Sequence, residues 1–346
     1  MQRVFALKQS KKQKSNTWQL TASLLAAMLL SSLFLSEAMA GNKANSHARE
    51  GFRLYQARQY AKALPSLRRA AAENPRDLAV CYYLGTAAAF AGDNNLAISA
   101  LSRLFVMCSA IDRYTVLAEP VFKRLRGSSR PYSCKMNNTS LIRWDPRSMP
   151  VNIYITDGKE LPDGLSGQIL SSDRITPYAA SLHNSTYLNK LGTAAGYSSG
   201  MVSQVRSGLA QWQWLNSEKI VPHRIVDDPA QADVMVFFSG NMPNLFGFTS
   251  YPESRGVSYP LMSLPNVPVV IQLNTRGGSA AVMGRTACHE FGHAFGLQHS
   301  KSTSDIMFDG RAGMNVANTL SDSDILTIRA LYQLPVDIWL VGNRRP

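Results

Sequence analysis

The residues best suited to chemistry lie in one stretch, His289-Glu-Phe-Gly-His293-Ala-Phe-Gly296-Leu-Gln-His299-Ser300, which holds three of the six histidines in the chain. Side chains four apart on a helix stack on one face, so His289 and His293 can aim two imidazoles at one metal ion. Glu290 then stands beside the metal without ligating it. Gly296 falls where the chain must leave the helix, and it can take the left-handed conformation that other residues resist. That bend brings His299 round as the third ligand. Three neutral imidazoles leave one corner of a tetrahedral zinc open to water, as catalytic sites do and closed structural sites do not. Zinc lowers the pKa of such a water to about 7, and Glu290 can accept its proton as the water attacks a carbonyl carbon. A bare His-Glu-x-x-His occurs in many unrelated helices; the added Gly296 and His299 at their offsets make the pattern specific.

The ligands need a scaffold, and the chain has room for about two domains at ~100–200 residues each. From Leu141 onward strands and helices alternate. Residues 150–155 read as a half-buried strand, residues 232–238 and 267–273 as buried strands. Val202, Val205, Leu209 and Trp212 mark one face of a helix. Between Ile155 and about Gly200 runs a Gly/Ser/Asp-rich connection that reads as a surface excursion. Residues 247–262 suggest a further strand or hairpin, and residues 335–346 a short tail.

These motifs resemble the metzincin superfamily of zinc proteases and, within it, the matrixins. Ser300 after the third histidine is the residue type that marks matrixins, and Asp305-Ile-Met307 looks like the family's Met-turn, which would put Met307 beneath the metal as a packed floor. Arg143-Trp144, Ala210-x-Trp212, Ala232-Asp-Val and Leu320 to Tyr332 are similar to its entry elements and closing helix, with Ser321 a natural N-cap. The resemblance implies an α+β matrixin-like catalytic domain over 141–334. It also implies an endopeptidase whose zinc is held by His289, His293 and His299, with Glu290 as general base. The substrate would be a peptide or protein lying extended along the strand within 247–262. Phe308 and Asp309 stand where matrixins usually carry Tyr and Pro. The sequence shows neither an acidic Gly-Asp calcium cluster nor the Pro-Arg-Cys-Gly of a cysteine-switch propeptide. His183 and His223 read as ordinary surface residues rather than ligands of a second zinc.

Upstream, Gly51, Ala63, Leu64 and Leu67 match Gly85, Ala97, Ile98 and Leu101 at a spacing of 34 residues. A small residue lets paired helices approach, and Ala and Leu at helical spacing fill the gap. The pattern resembles the tetratricopeptide repeat, although His47 and Cys81 stand where its usual Trp would. Residues 41–126 are thus expected to form tetratricopeptide-like helical repeats, with 114–125 as a capping helix and a possible protein partner in their groove. The fold class is then multidomain: a helical repeat domain, a polar linker over 127–140, and the zinc protease domain.

Residues 1–40 have the layout of a secretory signal: a basic start from Arg3 to Lys14, an uncharged apolar run from about Trp18 to Leu35, and Ala38-Met39-Ala40 before the expected cleavage. Export to the periplasm or medium follows, with the membrane touched only through this segment. Losing five Lys/Arg and one Glu with it takes the formal charge from +13 to +9. The remaining basic residues are scattered without the aromatic interleaving that tracks nucleic acid, so no nucleic-acid partner is expected. Cys81, Cys108, Cys134 and Cys288 are too few for a disulfide framework. Cys288 reads as a buried apolar residue, a pairing among the other three is open, and capping of the zinc by Cys134 is a remote alternative. Two rival functions are a catalytically silent envelope scaffold using the helical repeats and hydrolysis of a non-peptide amide; the intact Glu290 argues against the first.

Overall fold

The computed structural model describes residues 46–108, 116–117, 120–125, 131–134, 140–242, 245–252, 261–310 and 317–343. The expected signal segment and its expected cleavage point lie outside these residues. The chain divides into two compact units, 1–129 and 130–346.

In the first unit, helices α1 (Ser46–Gln56), α2 (Tyr60–Glu73), α3 (Leu78–Ala91) and α4 (Asn94–Met107) follow one another through short turns. Asp77 and Asp93 cap α3 and α4 by accepting the Val80 and Leu96 amides at 2.9 and 3.0 Å, which satisfies donors the helix itself cannot pair. A Cβ on Gly51 would lie 2.7 Å from the Leu67 side chain, and one on Gly85 would lie 2.9 Å from Leu101. The same close contact therefore recurs 34 residues on, as the sequence pairing of these positions requires. Helix α3 is apolar on all sides and buried along nearly its whole length, as expected of a helix packed between others. The expected capping helix is in part a 3-10 helix, Pro120–Leu125; Pro120 has no N–H to continue an α-helical ladder from the residues before it.

The second unit is α+β. A five-stranded sheet has the order β3-β2-β4-β7-β5 (β3 His223–Ile225, β2 Val151–Ile155, β4 Val234–Ser239, β7 Val269–Asn274, β5 Gly247–Ser250), parallel except for the edge strand β5. A smaller parallel sheet has the order β1-β8-β6 (β1 Ile142–Trp144, β8 Ile338–Leu340, β6 Leu261–Met262). The expected terminal tail thus supplies a central strand. The stretch 247–262 splits between the two sheets, leaving only β5 at the edge of the larger one. Every residue of β4 is buried, because parallel strands of this kind are covered on both faces. One face takes α6 (Ala280–Ala294), against which α5 (Gly200–Ala210) packs.

The other face overturns an expectation. The Gly/Ser-rich connection is not a surface excursion: Leu161, Leu165, Leu170, Ile175, Leu182 and Leu188 form a buried cluster with Met235, Phe237 and Val270 of the sheet. Short helical turns space these leucines so that they cover the apolar face. Strand β2 also departs from simple alternation, since Asn152 is buried; its amide donates to Gln231 O at 2.8 Å and its oxygen accepts from Arg224 Nε at 2.9 Å. Residues 131–134, within the expected linker, are packed into this unit, with Tyr132 and Cys134 buried. All four cysteines are free thiols, so the pairing left open by the sequence does not form. Burial pushes the thiol pKa of Cys81 up to about 11 and of Cys134 to about 12.

Candidate metal centre

Helix α6 carries the first two histidines and is held at its C-terminal end by side chains from elsewhere. The last carbonyls of a helix have no partner within it. Here Tyr251 Oη donates to His293 O at 2.6 Å, Trp144 Nε1 to Ala294 O at 2.8 Å, and Tyr332 Oη to Phe295 O at 3.1 Å. Trp212 Nε1 donates to Cys288 O at 2.9 Å from the opposite flank. Helix α5 comes close enough for this because position 208 is glycine: a Cβ there would lie 2.5 Å from Gly284 O and 2.7 Å from Cys288 N. Gly296 sits at φ +100°, and a side chain there would run into the Ile142 carbonyl. Both facts demand glycine at the bend. The amides of Gly296 and Leu297 close the helix on His293 O and Gly292 O at 2.7 and 3.0 Å.

The bend delivers His299. The ligating atoms of His289, His293 and His299 all lie within 4.8 Å of one another, and His293 Nε2 is 3.1 Å from His299 Nε2. Two nitrogens on one tetrahedral zinc stand about 3.3 Å apart, so the spacing fits. His289 Nδ1 faces Ile306 O at 2.7 Å and His293 Nδ1 faces Leu297 O at 2.8 Å. A carbonyl only accepts, so each Nδ1 carries the proton and each Nε2 keeps its lone pair free. His299 Nδ1 is 3.9 Å from Asp309 Oδ2. Burial pushes the pKa of His289 down to about 4 and that of His293 well below the ordinary value, where neighbouring histidines add to the effect. Burial also lowers that of His299. The set is therefore neutral at pH 7, the form that binds a metal.

Glu290 points from the same helix toward β5 and is 4% exposed. Thr249 Oγ1 donates to Glu290 Oε2 at 2.8 Å and also lies 3.0 Å from Glu290 O. Burial pushes the Glu290 pKa up to about 8, against the lowering effect of the Thr249 bond. A Cβ on Gly247 would lie 3.1 Å from Glu290 Oε1, so the glycine lets the edge strand pass directly over the carboxylate.

Met307 is fully buried, and its sulfur lies where a Cβ on Gly292 would stand. It is packed against the helix between the two histidines, as a floor would be. The turn carrying it is fixed by a buried polar network. Ser300 N donates to Met307 O at 2.7 Å, Ser300 Oγ donates to Asp305 Oδ2, and Ile306 N donates to Asp324 Oδ2 at 2.9 Å. Asp324 lies in α7 (Asp322–Leu331), where Ser321 and Asp324 form a reciprocal capping box.

The structure brings together the three histidines that the sequence singled out as ligands. It departs over His223, expected at the surface: this side chain is 5% exposed, with its ring 5.0 Å from that of Phe295. The ring is flat and largely apolar, so β3 can turn it inward. His183 is half-buried between Ala179 O and Ala232 O, at 2.8 and 3.0 Å. Neither belongs to the metal-binding group. Sequence reasoning missed Thr249, Tyr251 and Tyr132, whose positions show no local pattern; a hydroxyl residue in the expected edge strand was the one available sign of Thr249.

A search of curated proteins finds no match to the chain. Residues 204–333 match the family model described as Matrixin, and that match, together with a histidine triad able to hold a metal, supports a zinc-dependent metallopeptidase domain in this chain.

Proposed function

We propose that this chain is an exported endopeptidase that hydrolyses internal peptide bonds of extended polypeptides, with Glu290 as its general base. The observation that carries the reading is Glu290 itself: a buried carboxylate one residue from a histidine of the triad, lying under the strand that forms the edge of the larger sheet among the described residues. A zinc ion would be held by His289, His293 and His299 and would supply a Lewis acid that lowers the pKa of a water toward neutrality. The chain supplies the rest. Strand β5 aligns an extended substrate by main-chain pairing. In its ionised form, which a neighbouring dication would favour over the protonated form of the metal-free site, Glu290 takes the proton from the attacking water and passes it to the departing amine nitrogen. Thr249 fixes the rotamer of the carboxylate through its hydrogen bond.

The helical unit is proposed to be a tetratricopeptide-like array that meets a protein partner. The recurring glycine–leucine contact and a half-exposed Phe90 stacked on Tyr60 at 4.1 Å support this reading. Export rests on residues 1–40 and is tested by N-terminal sequencing of the secreted product, which should begin at Gly41.

The central test incubates the purified protein with unfolded protein substrates, with and without chelator, beside Glu290→Ala. Cleavage that chelator abolishes and the variant lacks supports the enzyme. Failure of the zinc-loaded protein to cut any substrate would leave the scaffold reading in its place. Metal analysis should find stoichiometric zinc in Glu290→Ala and none in His293→Ala.

A further inference from the structure

We infer that Tyr132, which precedes the matched family segment by 72 residues, is a positioning residue for the metal centre, acting through Asp324 and the turn that carries Met307. The inference rests on the triad holding zinc, as proposed above.

Tyr132 lies in the short described segment 131–134 and is 5% exposed. Two bonds tie it to α7: its amide donates to Thr327 Oγ1 at 3.1 Å, and its hydroxyl donates to Asp324 Oδ1 at 2.8 Å. Thr327 and Asp324 are both fully buried. The other carboxylate oxygen, Asp324 Oδ2, accepts from Ile306 N at 2.9 Å and Ser321 N at 2.8 Å. The carbonyl of Ile306 in turn accepts from His289 Nδ1 at 2.7 Å. A line of contacts therefore runs from the Tyr132 hydroxyl, through a buried carboxylate and the backbone of one residue, Ile306, whose N–H and C=O lie in adjacent peptide groups, to the ring of the first metal ligand.

Packing alone does not explain this residue. Phenylalanine would fill the same space, whereas burying a hydroxyl and a carboxylate is costly unless each is paired. Each makes the other tolerable, and the pair fixes the orientation of the carboxylate plane. Without the hydroxyl, Asp324 Oδ1 loses this donor, the carboxylate is held through Oδ2 alone, by Ile306 N, Ser321 N and Ser321 Oγ, and its hold on Ile306 N slackens. The carbonyl that sets the tautomer and angle of His289 then moves with it. Partners of metal ligands commonly alter metal affinity by about 10–100-fold when removed; a group one bond further out should act at about three- to tenfold.

The test uses the full chain and zinc titrated against a chromophoric chelator. Tyr132→Phe, which removes one oxygen, should raise the zinc Kd about three- to tenfold. Thr327→Val removes the anchor of the Tyr132 amide but spares the hydroxyl–carboxylate bond, and it should change the Kd by less than about twofold. In zinc-loaded protein the His289 Nδ1 proton should exchange with solvent faster in Tyr132→Phe than in wild type, a readout that loss of stability elsewhere would not single out. An unchanged Kd in Tyr132→Phe overturns the inference, and so does equal loosening in both variants, which would make the segment a plain structural tether. If wild-type protein binds no zinc, the inference falls together with the functional reading; if wild type binds zinc and Tyr132→Phe binds it equally, the inference alone falls.

Discussion

Replacing Glu290 by Gln should make the metal-free protein more stable while abolishing proteolysis. Burial raises the Glu290 pKa from 4.5 to about 8, so the folded state holds a proton that the unfolded chain releases. For an acid raised in this way, the linked stability is complete below pH 4.5 and is lost as pH rises toward 8. At pH 7, 2.5 pH units above the unfolded value of 4.5, the loss amounts to about 3 kcal/mol, at about 1.36 kcal/mol per pH unit. Gln keeps the volume and can still accept from Thr249, but it carries no charge to desolvate. The histidines act in the opposite direction: His289, lowered to about 4, destabilises the fold as pH falls below its ordinary value, equally in both proteins. It therefore cancels in the difference. The assay is urea unfolding of wild type and Glu290→Gln in chelator from pH 5 to 7, followed by tryptophan fluorescence. Apart from Trp18, in the segment expected to be a signal, every tryptophan lies in the second unit. The stability difference should grow by about 1.4 kcal/mol per pH unit in favour of the variant. A flat difference, or a variant less stable at pH 7, would refute the reasoning that burial of Glu290 is a cost to the fold borne for function.

Gly296→Ala forces a side chain into a left-handed bend and against Ile142 O. It should destabilise the second unit by at least about 1–2 kcal/mol and weaken zinc binding, as read by thermal melting and metal titration. Leu182→Ala, in the cluster that covers the far face of the sheet, should cost about 2–5 kcal/mol by denaturant unfolding, whereas a true surface loop would lose almost nothing. Trp212→Phe removes the donor to Cys288 O and should cost about 1–3 kcal/mol, with zinc retained at saturating concentration. Gly247→Val places a branched side chain against Thr286 and Glu290; cleavage should fall at least about tenfold while zinc stoichiometry stays at one, measured by peptide hydrolysis and metal analysis.

The sequence alone determined the histidine triad able to hold a metal, because it is written in local spacing: four residues along a helix, then a glycine bend, then a third histidine. The same is true of the paired helices of the first unit, of the two buried central strands and of the capped closing helix, whose signals all fall within one turn or one strand of their own positions. Tertiary structure alone decided what holds the centre in place. Thr249 reaches Glu290 from 41 residues away, Asp324 fixes Ile306 from 18, and Tyr132 meets Asp324 across 192. No local periodicity records such partners, since each bond depends on where two separate elements come to rest. The leucines of 161–188 were hidden for the same reason: among glycines and serines they carry no regular period, and they become a core only when a sheet presents an uncovered apolar face. Strands of two or three residues, such as β1, β6 and β8, were also beyond sequence reading, because so short a run holds too little alternation to distinguish it from a turn.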